Sequence, residues 1–102
     1  MLRVPKVMEP RVGLLTVEIC VPEAMTLKDK RQVVRSLLDR ISNRFNVSVA
    51  QVGKLDSPRR GVLAFACVSN DGGHVHEMLD AILGAVQAEP RLEVEDSEVE
   101  VF

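Results

Sequence analysis

The chain has no tryptophan and no tyrosine, and its three aromatic residues are all phenylalanine. A mechanism built on several stacked rings is therefore short of parts. Cysteine is also scarce: Cys20 and Cys67 stand apart on apolar runs, with neither zinc-ligand spacing nor the density of a disulfide framework. Both read as buried free thiols. No apolar run approaches the ~20 residues that span a bilayer. The opening MLRVPKVMEP also lacks the apolar stretch of a secretory signal, so the expected location is cytoplasmic. A large excess of one charge is missing too: 13 Lys and Arg stand against 15 Asp and Glu, a net charge of -2. That balance argues against a protein that coats DNA non-specifically.

What is present is an ordinary globular composition, 46% hydrophobic and 27% charged over 102 residues, enough for one domain with one modest core. The charges are segregated along the chain. Six of the thirteen basic residues lie between Lys28 and Arg44, and six of the fifteen acids between Glu89 and Glu100. One end of the fold should be basic and one strand acidic.

Residues 11–21, RVGLLTVEICV, alternate with Gly13, Leu15, Val17, Ile19 and Val21 on one side, which predicts a strand closed by Pro22. From Thr26 the period becomes helical through Leu27, Val34, Leu37, Leu38, Ile41 and Phe45, and Thr26 with Asp29 has the form of a capping box. FNVSVAQV at 45–52 and GVLAFACV at 61–68 alternate again, separated by a loop around Asp56-Ser57-Pro58. Ser69 to Gly73 supplies helix caps, and a second helix carries Val75, Met78, Leu79, Ile82 and Val86 before Pro90 ends it. In the last strand the apolar pair Leu92 and Val94 is out of phase with Val99 and Val101, so a bulge near Glu95 to Glu98 is needed to put both pairs on the core. The order βαββαβ is the ferredoxin-like α+β arrangement, an antiparallel sheet of order 4-1-3-2 with two helices on one face. Residues 11–102 form this domain and residues 1–10 an extension. Strand two is an edge without a single charge, open to pairing with a second copy of the chain.

With the elements placed, TLKDKRQVVRSLLDRISNRFNVSVAQV and the later FACVSND resemble the YlxP-like family of small bacterial proteins over essentially residues 11–102. The resemblance implies the ferredoxin-like fold and, through association with translation-factor genes, a role around RNA or ribosomes. It implies no catalytic residue.

The cations at the start of the first helix are the main functional handle. A helix N-terminus is already positive, and each exposed cation there costs on the order of 0.3–1 kcal/mol. Arg31 with Arg35 adds like-charge repulsion at four-residue spacing. In this topology the loop between strands two and three lies at the same end. Lys28, Lys30, Arg31, Lys54, Arg59 and Arg60, with Arg35 a turn further on, therefore form a candidate anion- or RNA-binding surface. Alternatively the helix is merely solvated or internally paired, with Lys30 laying its stem on the core and reaching Glu18 or Glu23.

Other motifs fall short. RGVLAF at 60–65 is similar to an RNA-recognition signature, but its stacking positions hold Val62 and Ala64. The turn Asn70-Asp71-Gly72-Gly73 reads as a cap, and His74 and His76 point to opposite sides of a helix, so no metal is expected. The exit VPEAMT has neither the arginine nor the glycine of an acylphosphatase phosphate loop. The chain is thus read as a non-enzymatic domain without cofactor or membrane anchor. The competing reading is a homo-oligomeric or ligand-sensing module that uses the open sheet face, with Val12 and Leu14, and the second-strand edge.

Overall fold

The computed structural model describes residues 9–102, so the extension expected over residues 1–10 lies mostly outside them. The elements are β1 (Arg11–Cys20), α1 (Leu27–Arg44), β2 (Ser48–Gly53), β3 (Arg60–Ser69), α2 (Gly72–Gln87) and β4 (Glu93–Val101). They form one antiparallel sheet of order β2-β3-β1-β4, the expected order read from its other edge. α2 packs on β1, β3 and β4, and α1 covers β2. No described helix is long and apolar enough to cross a membrane.

Alternation decides which side of the sheet is covered. In β1, Leu15, Val17 and Ile19 are fully buried, and in β3 Leu63, Phe65 and Cys67 lie on the same side. These residues meet Val34, Leu37 and Ile41 of α1 and Val75, Leu79, Ile82 and Val86 of α2 in a single core. β4 joins them through a register shift: Glu18 faces Asp96 while Ile19 faces Val94, leaving Glu95 as the extra residue of a bulge. The bulge keeps Val94 and Val99 on the helix side despite their opposite parity. β2 has its own shift between Gln51 and Gly53, so its regular edge is short.

Both helices start on side-chain caps. The Thr26 hydroxyl accepts the Asp29 amide, and the Asp29 carboxylate accepts the Met25 and Thr26 amides at 3.0 and 3.1 Å. The Met25 amide, with Thr26, holds the Asp29 carboxyl below its usual value. Asp71 accepts the Gly73 and His74 amides at the start of α2. α2 crosses β1 where Gly13 leaves room, since a Cβ there would run into Val75 and, at 2.9 Å, Leu79.

At the other end of α2 a buried carboxylate ties the layers together. Glu89, 2% exposed in its side chain, accepts from Arg40 of α1 and, at 2.8 Å, from Arg91. The Arg91 backbone amide adds a bond of 3.0 Å. Arg91, its largest influence, together with Arg40 brings the Glu89 carboxyl down to about 2.

Candidate anion-binding surface

Lys30 is fully buried. It occupies the inward row Lys30, Val34, Leu37, Ile41 of α1, and its ammonium faces the main chain of the β2–β3 loop. Nζ donates to the carbonyls of Lys54 at 2.9 Å, Ser57 at 2.5 Å and Arg60 at 3.0 Å, with Leu55 at 3.3 Å sharing a proton. Lys54 takes a left-handed backbone, φ 53, among the described residues the one non-glycine to do so, and still offers its carbonyl to the ammonium. Burial, with Arg31 nearby, lowers the Lys30 pKa. Four carbonyl dipoles work the other way and hold the charged form. Lys30 is therefore a fastener between helix and loop, and the expectation that it belongs to an exposed anion surface is corrected. Its partners are also carbonyls, where a carboxylate, Glu18 or Glu23, was the alternative expectation.

The same contacts show that the start of α1 and the β2–β3 loop do share one end of the fold. Arg59 donates from Nε to the Ala24 carbonyl at 3.0 Å, and the Val21 amide donates to the Arg59 carbonyl at 2.7 Å. Two loop cations are not free, however. Lys54 pairs with Glu18 at 3.2 Å, and Arg60 pairs with Glu95 at 2.5 Å. Neither pairing can be seen in the linear sequence, because Glu18 and Glu95 reach the loop only through the β1–β3 and β1–β4 registers.

Besides the buried Lys30, four of the seven candidates have no carboxylate within 4.0 Å among the described residues, and one of them, Arg59, already spends its Nε on the Ala24 carbonyl. The other three, Lys28, Arg31 and Arg35, are exposed on the outer face of α1. With Gln32 they line a shallow groove of about 450 Å³. At 1.5 Å per residue the row runs along about 10 Å of the helix axis. A larger recess of about 540 Å³ lies beside it, with Glu23 and Asp29 in its lining and its one cation, Arg91, already paired with Glu89, which disfavours an anion there.

The uncovered side of the sheet has the opposite character. Ser48, Ala66, Leu14 and Glu100 lie in one cross-strand row, and Ala50, Ala64, Thr16 and Glu98 in the next. The face therefore grades from small neutral residues on β2 and β3 to a column of carboxylates on β4. Glu93, Asp96, Glu98 and Glu100 have no cation within 4.0 Å among the described residues. Cys20 lies half-buried on this face, so only Cys67 is the buried thiol expected of both. His74 and His76 are exposed, and no group of three metal-ligating side chains occurs among the described residues.

The family model described as "Protein of unknown function (DUF503)" matches residues 12–99. The chain belongs to this family. It is 30% identical over 82 residues to the uncharacterized protein YlxP of Bacillus subtilis (strain 168), covering 80% of this chain and 89% of that one. Two solved structures share the fold. The de novo designed protein Foldit4 superposes with a TM-score of 0.50 at 16% identity, over 92% of this chain and 94% of its own. PA3566 from Pseudomonas aeruginosa gives 0.51 at 11% identity, over 93% and 94%. At such identities the likeness speaks for the fold alone.

Proposed function

We propose that this DUF503-family chain is a non-enzymatic domain that binds a phosphate-rich partner, structured RNA first among them, through the outer face of α1. One observation carries the reading: Lys28, Arg31 and Arg35 form a line of exposed cations with no carboxylate within 4.0 Å among the described residues, and Lys28 stands in the first turn, where the helix dipole disfavours it. The fold uses Lys30, Lys54 and Arg60 for its own contacts, whereas nothing internal accounts for these three. Arg59 flanks the row with its terminal guanidinium nitrogens uncommitted among the described residues. The test is a binding titration with structured RNA at two salt concentrations. Charge reversal of Arg31 and Arg35 together should abolish binding, while neutralising Lys54 and Arg60 should change it little. Absence of binding by the intact protein at low salt removes the reading.

A second reading, a homodimer through the open sheet face, is favoured by Val12 and Val68, paired in register yet 41% and 59% exposed. Solution mass decides it: apolar association survives high salt, and a monomer at every accessible concentration rules it out.

A further inference from the structure

We infer that the ligand of the α1 row is the phosphodiester backbone of a nucleic-acid duplex, gripped without reading bases, and neither a single strand nor an isolated phosphate. The inference rests on the proposed anion-binding reading of that surface. The first ground is geometric. Lys28, Arg31 and Arg35 are strung out at spacings of three and four residues along about 10 Å of one helix face. A lone phosphate is held where donors converge on one point, and the row has no such point. It presents successive cations to successive charges, which is the pattern of a polyanion backbone.

The second ground is the location of the rings. Phe65 is wholly buried, Phe45 is half-buried at the far end of α1 with Arg44 over its ring at 5.1 Å, and Phe102 follows β4. None adjoins the groove, whose lining is Lys28, Arg31, Gln32 and Arg35. Proteins that hold single strands draw much of their affinity from stacking bases on aromatic rings. Without that platform, ordering a flexible strand must be offset by a few phosphate contacts alone. A duplex arrives with its phosphates already in place, so the same contacts suffice.

The third ground is exclusion. Glu93, Asp96, Glu98 and Glu100 line one side of the open sheet face, the face on which RNA-recognition modules stack bases, and they repel any phosphate backbone there. A nucleic acid can reach this domain through the helical layer alone, with the sheet face turned away.

The experiment is a fluorescence-anisotropy titration of the intact chain against end-labelled 12-base-pair RNA and DNA duplexes and the corresponding single strand, with inorganic phosphate as competitor. The expected result is binding of duplex at least tenfold tighter than single strand. Changing the sequence should have little effect, millimolar phosphate should not compete, and the slope of log K against log salt should be roughly -2 to -3, as for about three phosphate contacts. Preference for the RNA or the DNA duplex assigns the source of the backbone. Arg31→Glu with Arg35→Glu should lose duplex binding while keeping the native melting transition. Equal or tighter binding of the single strand, or competition by phosphate, overturns the duplex inference and leaves the anion-binding surface standing. If heparin, RNA and DNA all fail to bind at low salt, the anion-binding reading itself fails and the inference falls with it.

Discussion

The Lys30 ammonium lies 3.0 Å from the Arg60 carbonyl oxygen, so α1 and the start of β3 are joined through a buried charge. An unpaired buried ammonium would be costly, and here its protons are met by the main chain of residues 54–60. The carbonyls lean on the ammonium in turn, although that of Lys54 also accepts the Ser57 amide at 3.1 Å.

Lys30→Met is the informative substitution, because methionine replaces the apolar stem and removes the ammonium with its donors. It should cost about 3–5 kcal/mol, since it leaves several polar groups buried without partners. In a chain of this size that lowers the melting temperature by roughly 15 °C or more. A loss under 1 kcal/mol in a denaturant melt would mean that water satisfies the loop as well as lysine does.

Lys30 also marks where the sequence stops being legible. The capping box, both helical rows and the β4 bulge follow from local pattern, because period and cap chemistry act within a few residues of each other, and the strand order follows from the arrangement that the βαββαβ succession adopts. The spacing Lys30, Val34, Leu37, Ile41 did place this lysine at the margin of the buried row. What it could not show is the ring of carbonyls above it, which the loop forms only after folding. The pairs Lys54 with Glu18 and Arg60 with Glu95 were hidden for the same reason. The Glu89 clasp gave no sign in the sequence beyond an acid next to Pro90. Lys28, Arg31 and Arg35 were readable because an exposed helix face needs no long-range partner to define it.

Acid stability should be governed by Glu89. Its carboxyl, at about 2 in the fold against an ordinary 4.5, binds a proton more readily in the unfolded chain. Its contribution is therefore complete above pH 4.5 and fades as pH falls through 2, amounting to about 3 kcal/mol at neutrality. Urea melts between pH 7 and pH 2 should show this acid limb, and Glu89→Gln should flatten it while lowering stability at pH 7. A variant with the same limb as the parent would assign the acid sensitivity to other carboxylates.

The two thiols should separate cleanly under an aromatic disulfide reagent. Cys20 is half-exposed on the open sheet face, whereas Cys67 is 5% exposed and burial pushes its thiol upward. Because the thiolate is the reactive form, Cys67 should react only as fast as the fold opens. One equivalent released quickly and a second released slowly, with the fast phase absent from Cys20→Ser, is the expected trace. Two fast equivalents would show that the β1–α2 packing over Cys67 is loose in solution.

That packing can also be tested at Gly13, where an added Cβ would stand 3.4 Å from the Cys67 sulfur as well. A methyl at this position points into Val75 and Leu79, so Gly13→Ala must push α2 away from β1 or twist side chains out of their preferred rotamers. The cost should be about 1–3 kcal/mol, even though alanine is the better strand former by backbone entropy. Val75→Ala alone should also destabilise, by opening a cavity in the core. Combined with Gly13→Ala, however, it makes room for the added methyl, so the double variant should be more stable than the sum of the two losses predicts. Strict additivity in the double-mutant cycle would mean that the helix shifts as a body, and that the close approach at Gly13 does not set its distance from the sheet.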